Sequence, residues 1–178
     1  ASLGEGDCQV QVPVQSGQAY YVAVASYAGW WGPFTLEADV VHPPANDNFV
    51  DAEVLSGPSP SSSGSTTLAT RQAGEPSHNN KSGSASVWYS WTAPQSGVLM
   101  LTVCGDFDTV VAVYTGSTVS SLSPVASNDD SSSGICSEAE SQVIFNVTAG
   151  TTYRIAVDGY SSSSKGDFDI ALLLGSPP

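Results

Sequence analysis

The sequence predicts an all-β protein, a jelly-roll-like antiparallel β-sandwich, from three observations. Helical spacing of apolar residues, with caps at either end, is nearly absent. Short β-branched or alternating runs recur instead, separated by turns rich in Gly, Pro and Ser. Apolar residues make up 40% of the 178 residues, which is enough for a core. Many short strands with such turns are typical of a sandwich or jelly roll.

Nine segments carry the strand pattern, and one Ser-, Gly- and Pro-rich stretch, Gly57–Thr67, is expected to be a surface loop. Along one strand Trp88, Tyr89 and Trp91 alternate, so at least one of its faces is expected to pack in the core. The predicted strands are Gln9–Val14, Ala19–Ser26, Phe34–Val40, Val87–Thr92, Val98–Cys104, Thr109–Tyr114, Gln142–Val147, Thr152–Asp158 and Phe168–Leu174.

The chain also contains an internal repeat, which decides its predicted domain organisation. Residues 14–27 match residues 147–160 without gaps, at an offset of 133 residues, and both copies end in Pro-Pro. Residues 1–42 are therefore predicted to be the C-terminal part of one β repeat. Residues 43–45 form a Pro-rich linker, and residues 46–178 form a complete repeat.

The charge of the chain excludes several classes of partner. There are 17 acidic and only 4 basic residues, so the formal net charge is −13. Phosphate recognition needs clusters of Lys and Arg, so no nucleic acid partner is expected. No apolar run reaches the roughly 20 residues that span a bilayer, so no membrane span is expected. Excess carboxylate favours Ca²⁺ as a cofactor, with an acidic solubilising surface as the alternative.

The three cysteines favour a secreted protein. Cys104 and Cys136 lie near strand ends of the complete repeat and are the natural disulfide pair. Cys8 occupies the position of the first copy that corresponds to Cys136, so its partner is expected outside this stretch. Three free thiols in a cytosolic protein are the alternative. The Ser-rich, Lys-poor composition favours the disulfide and a secreted, extracellular or cell-surface location.

Carboxylate and amide side chains cluster in four predicted turns. The expected disulfide would draw two of these clusters to one end of the sandwich, where a cation would relieve their repulsion. Capping of local turns is the alternative role for each residue. The main candidate metal ligands are Asp106, Asp108, Asn128, Asp129 and Asp130, and the other two clusters add Asn46, Asp47, Asp51 and Asp158.

Catalysis is not expected, because nucleophile, zinc and phosphate-loop motifs are absent from the sequence. Glu75 and His78 flank Pro76 in a polar loop, where a fixed turn is favoured over a ligand or substrate contact. Trp30 and Trp31 lie in a predicted turn. If exposed they would form a contact patch for sugar or for the next repeat, and docking on a repeat is favoured.

Several motifs follow one another in the order found in a known family. They are Asn46-Asp47-Asn48-Phe49, Gly74-Glu75-Pro76-Ser77-His78, Val87-Trp88-Tyr89-Ser90-Trp91-Thr92-Ala93-Pro94, Asp106-Phe107-Asp108-Thr109, Ser127-Asn128-Asp129-Asp130 and Ala149-Gly150-Thr151-Thr152-Tyr153. With these motifs the complete repeat resembles the bacterial pre-peptidase C-terminal (PPC-like) domains, which are tandem extracellular β-sandwich repeats. The resemblance implies a jelly-roll-like sandwich, often with calcium, that acts in adhesion, substrate binding or domain spacing. It also implies that the linker Asn-Asp pair of the family, here Asn46 and Asp47, binds calcium.

Together these features predict a non-catalytic, extracellular, calcium-binding structural repeat. It would build a filament or a tandem, adhesin-like surface protein through head-to-tail contacts with other copies or with neighbouring repeats. The alternative is an accessory module of a secreted hydrolase that binds carbohydrate or protein. Its partner would be a surface glycan or a protein, and it would be a monomer with an exposed aromatic face.

Overall fold

The computed structural model describes residues 8–10, 12–25, 32–83, 85–131, 134, 136 and 140–175. The chain divides into two compact units, Ala1–Asp39 and Val40–Pro178. Trp30 and Trp31, the predicted contact patch, lie outside the described residues.

In its described residues the second unit has nine strands and three short 3₁₀ helices, and no α-helix. The 3₁₀ helices are Phe49–Asp51, His78–Asn80 and Val119–Ser121. The strands are β1 (Glu53–Leu55), β2 (Ser61–Ser65), β3 (Val87–Thr92), β4 (Gly97–Gly105), β5 (Thr109–Thr115), β6 (Ser123–Asn128), β7 (Glu140–Val147), β8 (Thr152–Gly159) and β9 (Asp167–Gly175).

These strands form two sheets that pack face to face. One sheet has the order β1-β3-β8-β5-β6 and the other has the order β2-β9-β4-β7. Every pairing is antiparallel except that of β1 with β3, which is parallel. The predicted all-β sandwich is confirmed.

The main core lies between the two sheets and follows from the alternation of side chains along the strands. In β9 buried and exposed residues alternate without a break, so Phe168, Ile170 and Leu172 point inward. They meet Leu99 and Leu101 of β4, which are fully buried. Burying each such side chain contributes roughly 1.5–3 kcal/mol.

A second, smaller core covers the outer face of the five-stranded sheet. It joins Phe49 of the first 3₁₀ helix to Trp88, Tyr114 and their neighbours, and the Phe49 and Trp88 rings are 5.2 Å apart. Trp88 and Tyr89 are therefore both buried, although they point to opposite faces of β3. The sheet is covered on both sides, so neither residue is available as an exposed binding platform.

Six of the predicted strands of the second unit are found, and β3 has the predicted bounds. The expected loop Gly57–Thr67 is wrong in part, because it contains β2, which pairs with β9. Serine and glycine rarely form strands, but here their small size is what fits. A Cβ atom at Gly64 would collide with the Tyr89 hydroxyl group and the Phe168 ring.

The first unit differs from its prediction. As far as the structure describes them, Gln9–Val14, Ala19–Ser26 and Phe34–Val40 are not strands. Strands exist only where a neighbouring strand accepts their backbone hydrogen bonds. No described residue pairs with these segments. They have the side-chain alternation of strands, but no described strand forms backbone hydrogen bonds with them.

Candidate functional site

The candidate site lies at the end of the sandwich where the β4–β5, β6–β7 and β8–β9 connections meet. Cys104 at the end of β4 and Cys136 in the β6–β7 connection form a disulfide, with their Cα atoms 5.8 Å apart. This is the pair expected from the sequence. Cys8 is free and exposed.

Asp108 is the least satisfied carboxylate at this end. Its Oδ1 atom is buried and has no hydrogen-bond partner among the described residues. Burial raises the pKa of Asp108, and the nearby carboxylates of Asp130 and Asp129 raise it further. The negative charges of these three side chains thus oppose one another.

Part of this negative charge is compensated by a lysine that the sequence analysis did not single out. Lys81 Nζ lies 2.5 Å from Asp129 Oδ2 and 4.3 Å from the centre of the Tyr160 ring. Asn79 donates a hydrogen bond of 3.0 Å to the other oxygen of Asp129. The hydrogen bond to Asp129 also raises the pKa of Lys81. Asp129 therefore has partners on both oxygens.

Two other predicted ligands at this end accept hydrogen bonds from backbone N–H groups. Asp106 is exposed, and its Oδ1 accepts a hydrogen bond of 2.9 Å from the backbone N–H of Asp167. Asn128 Oδ1 accepts one of 3.2 Å from the N–H of Gln142. Both side chains act as caps that join neighbouring connections or strands.

The predicted ligands near the linker also serve as caps. Asn46 exchanges two hydrogen bonds with the backbone of Trp88, which tie the chain to the start of β3. Asp47 is buried and accepts hydrogen bonds from both the N–H (2.6 Å) and the hydroxyl (2.8 Å) of Thr70. Asp51 is exposed and accepts one bond from Asn48.

Asp158 lies apart from the other predicted ligands, on the outer face of β8. Its Oδ1 accepts hydrogen bonds from the N–H groups of Ala85 (3.1 Å) and Gly159 (2.8 Å). Burial raises the pKa of Asp158, and these two donors offset only part of the rise. Among the described residues no three His, Cys, Asp or Glu side chains are arranged to hold a metal ion. The nine predicted ligands are thus dispersed over several places.

The structure also contains a buried polar network that the sequence analysis assigned only to a fixed turn. His78 Nε2 donates to Glu75 Oε1 at 2.8 Å, and His78 Nδ1 lies 2.8 Å from the Tyr114 hydroxyl group. Ser86 donates to the same Glu75 oxygen. The N–H of Gln72 donates to the other oxygen at 2.8 Å. This network fastens the loop before β3 onto the outer face of β5.

Electrostatics and burial both bear on the stability of this network. Burial raises the pKa of Glu75, but the hydrogen bonds from His78, Ser86 and Gln72 outweigh it, so this pKa lies below its ordinary value. Burial raises the pKa of Tyr114 to about 12. Glu75, His78, Ser86 and Tyr114 are all buried.

In the described part of the chain, no helix is long and apolar enough to cross a membrane. No protein-family model and no curated protein sequence matches the chain. Among solved structures, it is similar to the pre-peptidase C-terminal domain of a collagenase from Bacillus anthracis. The identity is 13%, the match covers 68% of this chain and 95% of that chain, and the TM-score is 0.44.

A second solved structure is the Yersinia pseudotuberculosis-derived mitogen. Its identity is 10%, the match covers 67% of this chain and 88% of that chain, and the TM-score is 0.40. The collagenase domain carries the name of the family that the sequence motifs of the complete repeat resemble.

Proposed function

We propose that this chain is a non-catalytic structural repeat of an extracellular protein, and that it assembles head to tail with neighbouring repeats or other copies. One observation carries the proposal. In its described part the leading segment, residues 1–42, exposes apolar side chains whose counterparts in the complete repeat lie in the core.

Four pairs of matching positions differ in exposure between the complete repeat and the leading segment. In β7, β8 and β9 these positions are at most 5% exposed, whereas in the leading segment they are at least 47% exposed. The buried residues are Val143, Tyr153, Ile155 and Phe168, and their exposed counterparts are Val10, Tyr20, Val22 and Phe34. A sheet that covered them would contribute roughly 1.5–3 kcal/mol per side chain.

The turn between the first two matched strands also supports the repeat. The Tyr20 hydroxyl group accepts a hydrogen bond of 2.8 Å from the N–H of Gln15. At the matching place Tyr153 accepts one of 3.1 Å from Thr148. Gly17 and Gly150 have φ angles of 77° and 76°, which glycine adopts without strain. This turn thus has the same local geometry in both copies, although no described strand pairs with the leading segment.

The buried network supports the non-catalytic part of the proposal. Serine, histidine and glutamate are residue types that nucleophilic catalysis uses. Here Ser86 and His78 both bind Glu75 and do not activate each other, and all three are closed to solvent. The disulfide supports an extracellular location, because such bonds persist in oxidising compartments.

The assembly is tested by making the leading segment polar. We expect the wild-type chain to show a mass that rises with concentration in sedimentation experiments. Val22→Asp places a charge at the position where β8 buries Ile155, and it is expected to remove every species larger than a dimer. Tyr21→Asp is the matched control, because Tyr21 corresponds to Arg154, a charged residue that lies outside the core between the two sheets, and it should behave like wild type. A wild-type chain that stays monomeric at all concentrations would contradict the assembly.

We further propose that Ca²⁺ binds at the acidic end, near Asp108. A calcium ion takes six to eight oxygen ligands, many of them backbone carbonyls. The unpartnered Oδ1 of Asp108 and the exposed carboxylate of Asp130 are the available side-chain ligands. Asp129 would join them if Lys81 moved away.

Calcium is therefore expected to raise the melting temperature. At 100 times the Kd, a ligand bound only to the native state adds about 2.7 kcal/mol, which is several degrees for a chain of this size. Asp108→Asn should remove the rise, Lys81→Met should enlarge it, and Asp51→Asn should leave it unchanged. Thermal unfolding with calcium or with chelator measures all four proteins. Equal melting temperatures in the two conditions would refute the site.

A further inference from the structure

The outer edge of β7 has backbone groups that no described strand pairs with. Near its start this edge is closed, because the carbonyl of Glu140 accepts from Ser131 N–H (3.0 Å) and the N–H of Gln142 donates to Asn128 (3.2 Å). Backbone groups of alternate residues point to the same side of a strand. The N–H and C=O groups of Ile144 and Asn146 therefore also point outward, and no described strand pairs with them.

The other edge strands of the described sandwich carry features that discourage pairing. β6 contains Pro124, β2 follows Pro60, and β1 has three residues, one of them the charged Glu53. β7 has neither proline nor charge between residues 141 and 147. In the leading segment the position that matches Asn146 is Pro13, which has no N–H to donate. The open edge is thus particular to the complete repeat.

The core is also incompletely covered on this side. Phe145 of β7 and Ala126 of β6 are the partly buried members of the main core. The sheet that ends in β7 has four strands, and the sheet it packs against has five. On its outer face Ile144 is 63% exposed, in a cross-strand row with the uncharged Met100 and Leu173. An added strand beside β7 would cover apolar surface on both of its faces.

We propose that β7 pairs antiparallel with β7 of a second copy about a two-fold axis at Phe145. Ile144 of each copy then faces Asn146 of the other, and each pair exchanges two backbone hydrogen bonds. The backbone N–H and C=O groups of both residues point toward the edge. This register therefore gives each of these groups a hydrogen-bond partner. The two Phe145 side chains meet over the open side of the core.

Charge favours a second copy as the occupant of this edge. The chain carries a net charge of −13, so most of its surfaces repel another copy. The edge at residues 141–147 is uncharged and, in the antiparallel arrangement, complementary to itself. The two four-stranded sheets would join into one continuous sheet. This contact uses the second unit alone and is independent of the head-to-tail assembly through the leading segment.

Sedimentation equilibrium in the Val22→Asp background tests the contact without the leading segment. A contact made by one strand of each copy buries less surface than a standard protein–protein interface. A Kd of about 10–100 µM is therefore expected for the dimer. Ile144→Lys and Asn146→Pro, which introduces the residue of the leading copy, should each weaken the dimer more than 10-fold. Leu173→Lys makes the same charge change on the same face, two strands from the edge, and should leave the Kd unchanged.

Two further readouts keep the test decisive. Amide hydrogen exchange of Ile144 and Asn146 should slow with concentration, while near-UV circular dichroism confirms that each variant is folded. If Asn146→Pro fails to fold, Ile144→Lys carries the comparison. A monomer at about 1 mM, ten times the upper expected Kd, or equal effects of Ile144→Lys and Leu173→Lys, would overturn the proposal. If the wild-type chain, with Val22 intact, also forms nothing larger than this dimer, the edge contact stands and the head-to-tail assembly falls.

Discussion

Replacing Glu75 with alanine is expected to lower the free energy of unfolding by about 3–5 kcal/mol. The carboxylate accepts hydrogen bonds from His78, Ser86 and the N–H of Gln72, in a place closed to water. Alanine leaves all three donors buried without an acceptor, and each then costs its desolvation. His78, which joins the loop before β3 to Tyr114, would also lose the hydrogen bond to its other ring nitrogen. Urea unfolding followed by tryptophan fluorescence measures the loss.

Glu53→Ala is the matched control for this prediction. Glu53 is exposed and accepts one hydrogen bond of 2.7 Å from Ser62, so its removal should cost less than about 1 kcal/mol. Glu75→Gln keeps one acceptor oxygen and should fall between the two. If Glu75→Ala proves as mild as Glu53→Ala, the network does not anchor the loop.

The sequence was sufficient to predict those strands whose core side chains are large. β3, β4, β5, β7, β8 and β9 carry large apolar residues at alternate positions, and all six were predicted. β1 was missed because three residues do not establish a period. β2 was missed because its Ser-Ser-Ser-Gly-Ser sequence is typical of loops. Its place is determined by pairing with β9, which lies about 100 residues away along the chain.

Candidate sites were harder to predict than strands, for two physical reasons. Adjacent acids in a turn point in different directions, so Asp106 binds the Asp167 backbone while Asp108 faces Asp129 and Asp130. Acids that are close in sequence are therefore not all close in the structure. The buried network has the opposite property, because Tyr114 lies far along the chain from His78. No local pattern predicts their contact across the outer face of the sheet.

The leading segment shows how strand pattern and strand structure can separate. Val10, Val22 and Phe34 carry the alternation of the complete repeat, and the Tyr20 turn has the same geometry. Alternation decides which side chains face a core, but a ladder needs a second strand. The side-chain pattern of the last strands of a sandwich is present, and no described strand pairs with it.

Removing the disulfide by Cys104→Ser with Cys136→Ser is expected to cost about 3–4 kcal/mol, because the bond closes a loop over a separation of 32 residues. The stabilisation arises mainly in the unfolded chain, so the native sheets should keep their circular dichroism. Cys8→Ser is the matched control and should change stability by less than about 0.5 kcal/mol, because Cys8 is exposed and unpaired.

The disulfide also holds the connection that carries Asp129 and Asp130. Calcium should therefore stabilise the double variant less than wild type. If the double variant unfolds at the same urea concentration as Cys8→Ser, the bond does not constrain the chain.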